Sequence, residues 1–322
     1  MTRHRLTPAL LLCGLLAASA SPAQAQELKR ISIGHVAPTA SNWTNFVAIE
    51  KRFFQREGLQ EDITYVGNVA NTVQQLVGGS FDVAVSTFDT AIRAVANGGN
   101  VVLIGSLVVK YPYSIMTAPD IARLADLKGK RVILPFEKDL LTVVWNRWVT
   151  EQGMRPAEIE QIYAGATPNR LAALANGSVQ AALLTQPFDF RAAAMGYKKL
   201  LDIGAYAKDY GFLTLLARPQ WLRDHGDMAR GYIRALSDAV DWLYDPANKE
   251  EAIAILARGT KLDLPIAVQC YQAYIVDLQP FSRKLAVPEQ IVRSTVKTLI
   301  ELGDIKPDAA SKNFVDLSYL PK

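Results

Sequence analysis

Two rhythms of apolar residues run through this chain. Short apolar runs fall at 31–34, 62–66, 83–87 and 101–104. Between them apolar residues recur at helical spacing, as at Phe46, Ile49, Phe53 and Phe54. Strand and helix therefore alternate, which predicts an open, largely parallel sheet with helices on both faces. A second set begins after the polar turn Asp126-Leu127-Lys128-Gly129-Lys130, with strands at 131–134 and 159–163 and a helix over 141–151. A strand over 212–217 then leads into helices near 227–244, 246–258, 264–275 and 288–302. Asp245-Pro246 supplies an N-cap with proline at the first helical position, and Leu302-Gly303 supplies a stop. This tail has no partner strands for a third sheet, so it is expected to cover the first. The chain then divides into lobe I, residues 26–113 and 205–322, and lobe II, residues 114–204. Two crossings between lobes make a hinge.

One pattern occurs twice, 98 positions apart. Residues 71–87 read N-T-V-Q-Q-L-V-G-G-S-F-D-V-A-V-S-T, and residues 169–185 read N-R-L-A-A-L-A-N-G-S-V-Q-A-A-L-L-T. Each is a helix, a Gly-Ser stop and an apolar strand ending in threonine. The duplication predicts two similarly built halves, with Thr87 and Thr185 as opposing walls of a shared cleft.

The first residues are set apart. Arg3 and Arg5 precede an apolar run over 8–18, and Ala23-Gln24-Ala25 has the form of a cleavage site. A secretory leader over 1–25 follows, taken by the general secretory route. Cys13 sits inside the apolar stretch behind Leu12, which disfavours a lipid anchor. Of 35 basic residues, loss of Arg3 and Arg5 leaves 33 against 31 acidic ones. So even a balance speaks against a nucleic-acid surface and against a polybasic membrane anchor. After cleavage only Cys270 remains, so no internal disulfide forms. No later apolar run reaches the roughly 18 residues of a membrane span. The reading is a soluble exported monomer.

In such sheets ligands sit beyond the carboxyl ends of the strands. The strand-to-helix junctions carry Asn42, Asn68, Thr87, Thr142, Thr167, Thr185 and Gln186. Asn71 and Gln74 could form a capping box, as could Ser86 and Asp89. Helix N-termini aimed at one cleft offer free N–H groups and partial positive charge, enough to hold an oxyanion without Arg or Lys. Trp43, Phe88, Tyr111 and Phe136 lie beside those donors and suit a ligand with an apolar or ring portion, as does Phe188. Asp89 either caps a helix or pairs with an amine. Catalysis lacks a framework: the chain has no H-E-x-x-H, no G-x-S-x-G, no P-loop and no spaced metal ligands, and no cofactor is expected. His35 with Asp89 as acid and base is the enzymatic alternative.

Four stretches carry a family likeness: residues 48–59, Gly79-Ser80-Phe81-Asp82-Val83-Ala84, Ala125-Asp126-Leu127-Lys128-Gly129-Lys130-Arg131-Val132 and residues 174–182. In them the chain resembles the periplasmic substrate-binding proteins of ABC importers for sulfonates, taurine and nitrate, with the related thiamine-pyrimidine-precursor binders. The resemblance implies a type II periplasmic-binding fold, α/β in class, whose two lobes close over a small molecule. It also implies delivery to a permease and its ATPase, and ligand contacts at Asn42, Trp43, Thr87, Phe88, Asp89, the loop from Phe136 to Thr142, Thr185 and Gln186. Many relatives have a Gly/Ser-rich turn where this chain has Pro135-Phe136-Glu137-Lys138-Asp139. Two acids there disfavour a compact inorganic anion. The expected ligand is a small organic sulfonate or carboxylate, with a thiamine pyrimidine precursor as alternative and a ligand-presenting sensor as another class.

Overall fold

Two five-stranded sheets form where the apolar runs fall, in a computed structural model that describes residues 27–321. The leader, its cleavage site and Cys13 lie outside the described residues. The strands are β1 Lys29–His35, β2 Leu59–Tyr65, β3 Val83–Thr87, β4 Val102–Val108, β5 Tyr113–Thr117, β6 Arg131–Leu134, β7 Glu160–Tyr163, β8 Ala181–Thr185, β9 Lys198–Asp202 and β10 Leu213–Ala217.

The order in one sheet is β2-β1-β3-β10-β4 and in the other β7-β6-β8-β5-β9. These are one topology used twice. β1 pairs in parallel with β2 and β3, as β6 does with β7 and β8. In each sheet the single antiparallel strand is the one that has just crossed from the other lobe: β10 beside β3 and β4, β5 beside β8 and β9. The duplicated units fold alike, as helix Val69–Val77 with β3 and helix Thr167–Ala175 with β8. β3 and β8 are buried along their whole length, as apolar central strands should be.

β5 and β9 do not stand out in the apolar pattern. β9 is an edge strand whose exposed lysines, Lys198 and Lys199, guard it against further pairing. Two capping expectations are corrected. The cap of helix Val69–Val77 is Asn68, whose side chain accepts from the Asn71 N–H at 3.1 Å, not Asn71 with Gln74. Ser86 donates to the Thr87 carbonyl and makes no box with Asp89.

The tail covers the first sheet. Helix Gly226–Leu243 packs on helices Trp43–Glu50 and Phe53–Arg56, with Phe54 and Tyr232 stacked 5.4 Å apart. Helix Glu289–Glu301 packs on helix Phe88–Ala96. Helix Leu264–Tyr271 runs on into a π-helical stretch, Gln272–Leu278, and also touches helix Phe188–Ala194 of the second lobe. Cys270 is free and buried there, and burial pushes its thiol up, away from the reactive thiolate. Among the described residues no helix is long and apolar enough to cross a membrane.

Candidate functional site

Between the sheets lies a cavity of about 70 Å³, walled by both lobes. At the 10–15 Å³ that one water centre needs, it has room for roughly half a dozen waters, so for a solute of a few to about ten heavy atoms. Five helices begin at its wall. Thr39, Ser41 and Asn42 precede helix Trp43–Glu50, Val69 opens helix Val69–Val77, and Thr87 is the N-cap of helix Phe88–Ala96. From the second lobe, Asp139 caps helix Leu140–Glu151 and Thr167 opens helix Thr167–Ala175. The convergence follows from topology: all five helices leave carboxyl ends of parallel strands that face the same gap. Their positive ends therefore sum over one small volume.

Aromatic side chains form the remaining wall. Tyr111, Tyr113 and Phe212 pack with ring centroids 5.2–6.5 Å apart where the chain crosses between lobes, and Phe136 faces them from the second lobe. Gly165 makes room for Phe136: a Cβ there would lie 2.7 Å from the ring's Cζ.

No Lys or Arg lines the cavity, yet a cation lies beneath it. Arg170 is 1 % exposed and donates from Nε to the Leu183 carbonyl at 2.6 Å, from Nη1 to the Ala164 and Gly165 carbonyls at 2.8 and 2.6 Å, and from Nη2 to the Thr167 hydroxyl at 2.9 Å. It makes no ion pair among those found in the described residues. Burial lowers its pKa, though an arginine keeps its charge. It ties the loop after β7 to β8 and sets a positive charge behind the second wall, with Tyr113 and Asp139 as its electrostatic neighbours.

His35 is held in one tautomer. The Thr39 N–H and hydroxyl both donate to Asn42 Oδ1, at 3.0 and 3.2 Å, which turns Asn42 Nδ2 toward His35 Nδ1 at 2.6 Å. Nδ1 is thus the acceptor, and the proton resides on Nε2, which is buried without a protein partner. Burial drives the imidazole pKa down to about 3, so the ring is neutral. Asp139 is the one acid on the cavity wall. Burial first, and the Asp89 charge second, raise its carboxyl to about 7, while its bond from the Leu141 N–H at 2.9 Å acts the other way.

The expected site residues divide. Asn42, Thr87, Tyr111, Phe136 and Thr167 line the cavity. Trp43 faces the core and donates its indole N–H to the Ala252 carbonyl at 3.0 Å. Phe88 is fully buried in a hydrophobic cluster with Ile92 and Leu216, and Asn68 is spent on its cap. Thr142 donates to the Phe136 carbonyl at 2.6 Å, fixing the loop rather than facing solute. Thr185 donates to the Pro112 carbonyl at 2.8 Å and does not line the cavity; the threonine on the wall across from Thr87 is Thr167. Gln186 bonds Asp189 at 2.7 Å and lines a groove behind the hinge. Asp89 pairs with Arg93 at 2.8 Å and accepts the Leu140 N–H at 3.3 Å. It does not touch His35, so that acid–base pair is not assembled. Phe188 packs in the second lobe's core. Thr39, Tyr113, Phe212 and Arg170 join the site unannounced. Among the described residues no His/Cys/Asp/Glu group could hold a metal ion.

The sequence profile of the NMT1/THI5 like family matches residues 42–249. No match is found among curated proteins. The fold is similar to that of the alkanesulfonate-binding protein SsuA from Xanthomonas axonopodis pv. citri bound to MOPS, with TM-score 0.72, 17% identity, and 90% of this chain and 96% of that one covered. It is similar to the periplasmic aliphatic sulphonate binding protein SsuA from Escherichia coli, with TM-score 0.68, 20% identity and coverages of 89% and 97%. The periplasmic nitrate-binding protein NrtA from Synechocystis PCC 6803 gives TM-score 0.71 and 16% identity over 88% and 85%. The architecture is thus the two-lobed periplasmic-binding fold.

Proposed function

Because this chain belongs to the NMT1/THI5-like family, we propose that it is the extracytoplasmic solute-binding component of an ABC importer. It captures a small ring-bearing or alkyl sulfonate or carboxylate between its lobes and delivers it to a permease, as a periplasmic monomer. One observation carries the ligand class: five helix N-termini meet at one small cavity with aromatic walls, and the buried Arg170 charge lies behind one of them. A neutral His35 adds no charge of its own, and Asp139 raised to about 7 is ready to stay protonated beside an anion and donate to it. The solved proteins of this fold that are named for sulfonate and nitrate binding are consistent with an anion. The bare nitrate ion would gain nothing from the aromatic side of the cavity.

The same carboxyl supports a second reading, an aminopyrimidine whose amino group and ring nitrogen pair with Asp139. The two readings differ in pH response. Oxyanion affinity rises as pH falls through 7, because protonated Asp139 no longer repels the ligand. An aminopyrimidine held by ionised Asp139 weakens over the same interval.

Native mass spectrometry of freshly purified protein and melting with benzenesulfonate, benzoate, an alkanesulfonate and an aminopyrimidine test this. A true ligand at a hundredfold excess over Kd stabilises by about 2.7 kcal/mol and raises Tm by several degrees. Thr87→Val with Thr167→Val then weakens it by roughly tenfold, the effect of about 1.4 kcal/mol. No co-purified solute and no shift with any of the four compounds would sink the reading.

A further inference from the structure

A second polar cluster closes the gap between lobes beside the cavity. On the first lobe, Arg93 bridges two buried carboxylates, Asp89 at 2.8 Å and Asp304 at 3.0 Å. Asp89 lies on helix Phe88–Ala96 with Arg93, and Asp304 follows helix Glu289–Glu301. On the second lobe, the loop before helix Leu140–Glu151 reaches into the cluster with three partners. Lys138 Nζ meets Asp304 at 2.8 Å, the Lys138 carbonyl accepts from Arg93 Nη2, and the Leu140 N–H donates to Asp89 at 3.3 Å.

The charge count makes the cluster conditional. Within the first lobe two carboxylates share one guanidinium, leaving one negative charge in excess; Asp89 and Asp304 are only 1% and 3% exposed. Lys138 sets a cation against Asp304, and the Leu140 amide serves an Asp89 carboxylate whose other oxygen already lacks a partner. Separation of the lobes would strip both away and leave two carboxylates sharing one guanidinium. The two residues gripped, Lys138 and Leu140, flank Asp139 on the cavity wall. We propose that Asp89, Arg93 and Asp304 form a latch for the 138–140 loop, one that favours lobe closure before any solute arrives and makes closure sensitive to salt. The inference rests on the two-lobed fold and not on the ligand class.

Hydrogen exchange on the ligand-free protein, with small-angle scattering alongside, tests it. Lys138 is exposed and touches no cavity atom, so Lys138→Ala keeps the fold. It is expected to speed exchange of the amides at 138–142 by about twofold to fivefold, as loss of a mostly exposed ion pair does. Arg93→Met, which removes three bonds, raises it on the order of tenfold or more. Salt at 1 M, where the Debye length is about 3 Å, reproduces the Lys138→Ala effect in the unaltered protein. The radius of gyration rises in each case, and β8 amides keep their protection. Unchanged exchange at 138–142 in Lys138→Ala and in 1 M salt overturns the latch. Faster exchange with an unchanged radius also overturns it, because that outcome is fraying of a loop rather than opening of lobes. Neither result bears on whether benzenesulfonate or an aminopyrimidine binds.

Discussion

Single residues decide the character of this site, and the decisive ones are buried polar groups. Arg170 uses its donors on three carbonyls and a hydroxyl. Arg170→Met leaves those acceptors in a dry interior, each unmade bond costing about 1–3 kcal/mol. We expect a loss of at least about 3 kcal/mol in the urea midpoint analysis, together with loss of oxyanion affinity. Arg170 is hard to find in sequence because a charged residue in an amphipathic helix reads as solvent-facing; only its register with Thr72 in the duplicated unit marks its place. Asp139 carries a pH dependence. Its carboxyl titrates at about 7 in the folded protein against about 3.9 unfolded, so its contribution is complete below the unfolded value and is lost as pH rises through 7. Asp139→Asn keeps a good cap and removes that loss. The variant should therefore gain stability over the parent between pH 5 and 8 in chemical denaturation. His35 works in the opposite sense, as its neutral ring costs stability once pH falls below about 6.5 and unfolded chains take up the proton. It is common to both proteins and cancels in their difference.

Elements were far more legible than contacts. The 3.6 and 2.0 periodicities, the Gly-Ser stops and the duplicated unit were enough for eight of the ten strands and for the longer tail helices, though not for the short helix Pro219–Asp224, because those signals report which face must be buried. They cannot say which way a side chain at a helix start turns. Trp43 and Phe88 stand at such starts, next to Asn42 and Thr87, yet tail residues and the sheet claim their rings for the core. Conversely Tyr113 and Phe212 lie on the crossings, where the partner segments are far apart in sequence. The strand β5 hid for the same reason: its neighbours β8 and β9 come from residues 181–202. Caps and glycines give element-scale tests. Asn68→Ala should cost about 1 kcal/mol by thermal denaturation, since its side chain alone serves the Asn71 amide. Gly165→Ala forces Phe136 off its seat, so binding of the identified solute should weaken more than folding stability does.

At the scale of the molecule, the two sheets are equivalent in topology but not in the order in which they can be built. Sheet two uses residues 113–202 without interruption. Sheet one has β3 and β4 held apart by β10, and β10 ends at Ala217, after the whole of sheet two. During refolding, pulse-labelled amides of β6 and β8 should therefore gain protection before those of β4, because β4 depends on the more distant closure. Until residues 213–217 arrive, β3 offers a bare hydrogen-bonding edge of five buried-type residues. An unpaired apolar edge is a template for mispairing with another chain. For a polypeptide made from one end, the late strand is thus the point at which synthesis ceases to be an aggregation hazard, and chains arrested just short of Leu213 should be lost to aggregates while those reaching the tail are not.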